Sequence, residues 1–147
     1  MPFRRLFLAV LLLTGLATGA ATAASLEDSL LAYEGRFEWN AERQDYIFSD
    51  RPGLDGLLDP LRKDTLAKLV DCIDDPRSAA ATLDGKPVSL GVMCYQALRQ
   101  TAYVEADNWP GHIGPLAGPE ARQAAKQAWQ AWQAWQATLA EQRYVLH

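Results

Sequence analysis

The chain has 147 residues, of which 49% are apolar and 22% charged, and a formal net charge of −4. That composition excludes wholesale disorder and suits one domain with a real core. Nucleic acid and anionic lipid both reward clustered Lys and Arg, so the acidic balance argues against either as main partner.

Residues 1–24 read as a secretion signal, with Arg4 and Arg5 as the positive n-region, an apolar stretch over 6–16, and Ala21-Thr22-Ala23 before the cleavage point. The rival reading is an uncleaved anchor, but the second half of the stretch is Gly, Ala and Thr rather than Leu or Val. No Cys follows directly, so a lipid-anchored lipoprotein is not expected. Cleavage removes Arg4 and Arg5, taking the charge from −4 to −6 over residues 25–147. The expected product is a mildly acidic export, periplasmic or secreted, with no stable membrane insertion after cleavage.

Ser25 can cap a short first helix, with Asp28 at the capping-box position and Leu26, Leu30 and Tyr33 on one face, ending near Gly35. The period then changes. Phe37 and Trp39 alternate with polar neighbours, as do Tyr46 and Phe48, which predicts a β-hairpin with an aromatic face. Arg51-Pro52-Gly53 reads as a turn, and Asp59-Pro60 as the start of a helix carrying Leu61, Leu66, Leu69, Val70 and Ile73 inward until Pro76 stops it. Asp84-Gly85 signals a second small hairpin or a looped connection.

Ser89 can cap a further helix running to about residue 104. Its expected inner face holds Leu90, Cys94, Ala97, Leu98, Thr101 and Ala102, with Gln96, Arg99 and Gln100 outside. Residues 108–118, rich in Gly and Pro, should form an irregular loop. Pro119-Glu120 opens a long last helix in which Gln-Ala-Trp occurs three times. The helical wheel puts Trp132 and Trp135 on one face with Ala125, Ala128 and Leu139, Trp129 at its edge, and Arg122 on the polar side. A buried stripe is the favoured reading of these tryptophans; exposed, they would serve a helix-in-groove or membrane-surface contact.

Cys72 and Cys94 are the only cysteines, and an isolated pair in an oxidising compartment is most simply one disulfide, clamping two helices. The competing reading is two reduced core thiols. No metal-ligand spacing or nucleophile motif occurs, and His112 and His147 are the only histidines. No catalytic residue, metal or cofactor is therefore expected. The cluster Asp71, Asp74 and Asp75 reads as solvated acids near a helix end.

The loop 108–115 is the candidate partner contact, with Trp109 as anchor, His112 as a polar or pH-sensitive group, and Ile113 beside them. The alternative is that Trp109 folds back as a lid on the core. Sugar stacking on Trp39 or Trp109 has no sequence signature behind it.

Two helices, each offering one Cys, with Gly91-Val92-Met93-Cys94-Tyr95 opening the second, resemble the small exported immunity proteins that block amidase toxins of the type VI secretion system. The resemblance spans residues 66–104, rests on Cys placement and helix order, and transfers no binding residues.

The expected architecture is a mainly α single domain over residues 25–147, with about four helices, a short aromatic hairpin near the N-terminus and one disulfide. The expected function is non-enzymatic binding of another envelope or secreted protein, inhibitor- or immunity-like. The alternatives are a small envelope hydrolase using carboxylates such as Glu34, Asp71 or Asp74, and a structural envelope protein without a tight partner.

Overall fold

The computed structural model describes residues 24–58 and 62–145, so the expected signal peptide and the Asp59-Pro60 helix start lie outside the described residues. The described chain corrects the expectation of about four helices and a single hairpin. It has five α-helices and a four-stranded mixed sheet in the order β2-β1-β3-β4.

The first helix, α1 (Leu26–Ala32), starts where the sequence says it should. Ser25 Oγ accepts the Asp28 amide at 3.1 Å, satisfying one of the free N–H groups at the helix start. Leu26 and Leu30 are buried, and the helix ends at Tyr33, short of Gly35. Strands β1 (Arg36–Asn40) and β2 (Asp45–Phe48) form the aromatic hairpin, with Phe37 opposite Phe48 and Trp39 opposite Tyr46. Its aromatic face is only half covered: Phe37 and Phe48 enter the core, while Trp39 is 54% exposed.

Arg51-Pro52-Gly53 is not a turn but the first turn of α2 (Arg51–Leu58). Asp50 Oδ1 accepts the Gly53 amide at 3.1 Å, and Pro52 sits where a missing N–H costs no helical bond. Leu54 and Leu58, one turn apart, are buried. The Tyr33 hydroxyl donates to the second Asp50 oxygen at 2.6 Å. Its pKa is pushed up to about 12 by burial and by that carboxylate.

Helix α3 (Arg62–Asp71) is followed by β3 (Ser78–Leu83) and β4 (Lys86–Ser89), joined at Asp84-Gly85. Both turn residues have positive φ, 50° and 78°, the backbone a two-residue hairpin turn requires. Strand β3 buries Ala79, Ala81 and Leu83 on alternate positions. It pairs in parallel with β1, Phe37 opposite Leu83, and so unites the two hairpins. Three consecutive alanines carry little β-propensity, which is why this strand leaves no clear trace in the sequence.

Helix α4 (Leu90–Thr101) is capped by Ser89, whose Oγ accepts the Val92 amide at 3.2 Å. It is not two-faced. Every residue from Leu90 to Leu98 is buried, including Gln96, because α1, α2, α3, β3 and β4 all pack on it. The Cys72–Cys94 disulfide ties the end of α3 to this central helix, with Cα atoms 5.9 Å apart. Beside it the Gly91 amide donates to the Asp75 carbonyl at 3.0 Å, and a Cβ on Gly91 would overlap the Ile73 carbonyl oxygen. Glycine is what allows this close approach.

The last helix, α5 (Pro119–Val145), is rotated relative to expectation. Arg122, Ala125 and Trp129 are buried, Trp132 is half-buried, and Trp135 is 55% exposed. The stripe thus follows three- and four-residue steps through Trp129. Arg122, expected on the outer side, donates through a terminal guanidinium nitrogen to the Asp75 carbonyl at 2.8 Å. Among the described residues, no helix is long and apolar enough to cross a membrane.

Candidate functional site

Residues 102–118 leave α4, make a short 3-10 turn at Ala106–Asn108, and lie back across α4 and α5. Trp129 holds this loop. Its indole N–H donates to the Gly111 carbonyl at 3.0 Å, and its ring meets Trp109 edge-on at a centroid distance of 4.9 Å. Gly111 runs so close to α5 that a Cβ there would come 3.2 Å from the Ala125 Cα. Of the three loop residues singled out by sequence, Ile113 is buried in the core, Trp109 is half-buried against Trp129, and His112 stays exposed.

A second device fixes the loop, and sequence reading missed its centre, Tyr95. The Tyr95 hydroxyl accepts the Trp109 indole N–H at 3.0 Å and lies 2.7 Å from His112 Nδ1. The other imidazole nitrogen, Nε2, faces Asp45 Oδ1 at 3.7 Å. A lone pair facing a carboxylate would be repelled, so we assign the proton to Nε2 and make Nδ1 the acceptor of the Tyr95 O–H. The result is a directed chain from Trp109 through Tyr95 to His112. Nothing in the sequence announces it, because its members come from α4 and two points of a loop.

Asp45, at the start of β2, closes the cluster. Its Oδ2 accepts from Arg99 at 2.7 Å, and its Oδ1 accepts the Tyr46 amide at 2.8 Å. Burial alone would raise its pKa, but the Arg99 guanidinium and the Tyr46 amide outweigh that and hold the carboxyl below its usual range. Burial pushes the Tyr95 phenol up, against the pull of the Trp109 indole N–H and the Arg99 charge, so phenolate is disfavoured. His112 is lowered by burial and then by Arg99, with Asp45 opposing.

Next to this network is an open cleft of about 440 Å³ between the β1–β2 hairpin, α4 and the loop. Arg43, Arg51, Arg99, Gln96 and His112 bring donors to it, while Tyr46, Ile47, Val104 and Trp109 bring apolar surface. Asp45 is the sole carboxylate among its described lining residues. The acids named for a hydrolase are elsewhere. Glu34 and Asp71 are exposed in the α1–β1 connection and at the end of α3, and Asp74 receives Lys126 at 3.1 Å. Among the described residues, no group of three His, Cys, Asp or Glu is placed to hold a metal ion.

The position of His112 carries a pH dependence. Its folded pKa lies below the ordinary 6.5, so as pH falls the unfolded chain takes up the proton first. Stability from this group is full above pH 6.5 and is lost as pH drops through the folded value. Protonation also puts a hydrogen on Nδ1, where the Tyr95 O–H already points. Melting temperature is expected to decline between about pH 7.5 and 5, and His112→Gln to shrink that decline. Equal declines in both proteins would remove His112 from the account. Asp45, held low, adds its own loss only further into acid.

Comparison with protein-family models, with curated proteins and with solved structures found no match to this chain.

Proposed function

We propose that this chain is an exported, non-enzymatic binding protein of the periplasm or cell envelope, which recognises another protein through the face formed by the β1–β2 hairpin and residues 102–118. The observation that carries the reading is the preformed cleft. Its walls are held by the Trp129–Gly111 bond, the Trp109–Tyr95–His112 chain and the Asp45–Arg99 ion pair. Walls fixed before encounter lower the ordering cost of association. The lining is rich in donors, which suits recognition, and the proton of the neighbouring Tyr95 is engaged with His112. Export is supported by the leader-like residues 1–24 and by the disulfide.

Trp109 and Ile113 act in this reading as anchors of their own loop, and His112 is the member offered to the partner. Occlusion of a partner's surface, as an inhibitor or immunity protein acts, is the form of binding proposed. The test is capture from native envelope extract with the tagged, oxidised protein as bait. One partner recovered near one-to-one, and lost with Tyr46→Ala plus His112→Ala, is the expected result. Recovery of only chaperones and abundant envelope proteins, or a partner indifferent to those changes, would overturn the reading.

A further inference from the structure

The same cleft has a chemical bias that narrows what enters it. The carboxylate of Asp45 is already engaged at both oxygens, by Arg99 and by the Tyr46 amide. Donors remain in excess. Arg99 spends one guanidinium N–H on Asp45, and at 3.7 Å the His112 Nε2–H is too far from that carboxylate for a hydrogen bond. Arg43 and Arg51 line the cleft from the hairpin turn and the start of α2, and neither makes a salt bridge among the described residues. Three arginines thus line one concavity of a chain whose net charge is −4. A local field opposite in sign to the whole molecule selects anions at that spot.

The other half of the lining is apolar. Tyr46, Ile47, Val104 and Trp109 stand beside the guanidiniums, so a naked inorganic anion would leave this surface uncovered. Planar carboxylate matches the guanidinium fork, and an adjoining apolar group fills the wall.

Building on the binding-protein reading, we propose that the cleft takes a carboxylate carried on an apolar stem, held by Arg43, Arg51, Arg99 and His112 and packed against Tyr46 and Trp109. Such a group is found at the end of a polypeptide with an apolar last residue, and also in a free organic acid. The recognition chemistry is the same for both.

Calorimetric titration of the oxidised protein tests this with three probes: acetyl-Ala-Ala-Phe as free acid, the same peptide as C-terminal amide, and phenylpropanoate. The free acids are expected to bind, with the amide weaker by at least about tenfold, since it keeps one acceptor oxygen and loses the charge. Arg43→Gln and Arg51→Gln should each weaken the acids by a similar factor while leaving the melting temperature unchanged, since both side chains are on the surface. A peptide acid tighter than phenylpropanoate identifies a chain terminus as the source, and the reverse order a free acid. Equal binding of acid and amide, or no binding of any probe, overturns the proposal. The two readings fail separately. A partner captured from extract that ignores Arg43→Gln and Arg51→Gln leaves the binding protein standing and removes the carboxylate site. Acids that bind without any captured partner do the opposite.

Discussion

Trp129→Ala is expected to lower stability by about 4 kcal/mol, in the range for emptying a fully buried aromatic position. Trp129 has no exposed surface, and it joins three things at once: the core, the Trp109 and Trp132 rings, and the Gly111 carbonyl. Removing it leaves a large cavity and an unpaired backbone acceptor, and it takes away the wall on which residues 102–118 rest. Denaturant titration should therefore show a reduced midpoint, and limited proteolysis should find new cleavage within residues 102–118. Trp129→Phe keeps most of the packing and loses the indole N–H, so its cost should be nearer 1–2 kcal/mol. Trp135→Ala, at a site 55% exposed, should cost less than about 0.5 kcal/mol. Equal losses at Trp129 and Trp135 would contradict the observed phase of α5.

Removing the disulfide is the second large effect. Cys72 and Cys94 are 22 residues apart, and closing a loop of that size restricts the unfolded chain by about 3 kcal/mol in the chain-entropy picture. Cys72→Ala with Cys94→Ala should lower the melting temperature by roughly 10 °C in a domain of this size. Both positions are buried, so the unfolded state is not the only contributor; each alanine also leaves a sulfur-sized gap beside α3 and α4. The double variant should remain folded, because the helix is also held by Leu90, Met93 and Leu98, all without exposed surface. A melting temperature that does not respond to the double change, or to reductant, would refute the bridge as a stabiliser.

Both effects concern the platform under the cleft rather than its lining. Loss of Trp129 would disorder the loop that carries His112, whereas loss of the disulfide would loosen the α3–α4 junction, whose two cysteines do not line the cleft. Ligand affinity should therefore fall more in Trp129→Phe than in the disulfide-free protein at a temperature where both are folded.

What could be read in advance was local. Ser25 and Ser89 announce their helices because a cap needs only the side chain and an amide three residues on. The aromatic hairpin follows from period-two alternation on both sides of a short polar loop, and Asp84-Gly85 from the positive φ that few residues accept. The Cys72–Cys94 pairing is legible because two cysteines admit one partner each. The first turn of α2 is hidden in the sequence because Arg-Pro-Gly is equally good turn chemistry, and only Asp50 as its cap, with Leu54 and Leu58 meeting the core, makes it helical.

The candidate contact was legible as a loop but not as a site. Composition marks residues 108–115 as a loop and offers Trp109, His112 and Ile113 equally as its contacts. Which of them faces outward depends on Trp129 and Tyr95, whose positions relative to that loop no local pattern specifies. Asp45 and Arg99, 54 residues apart, carry the ionic part of the cleft and had no signal to find them by.

Sequence alone thus determined the Ser25 and Ser89 caps, the aromatic hairpin and the pairing open to two cysteines, since each rests on the chemistry of neighbouring or uniquely paired residues. Tertiary structure alone decided the parallel β1–β3 joint, the burial of α4 on every side and the phase of α5. The last case shows the reason. Steps of three residues turn a helix by about 300°, so Trp129, Trp132 and Trp135 fan over about 120° and present several nearly equivalent apolar faces. The choice among them was made by a carbonyl at Gly111 and a carbonyl at Asp75, each brought to α5 by a distant part of the chain.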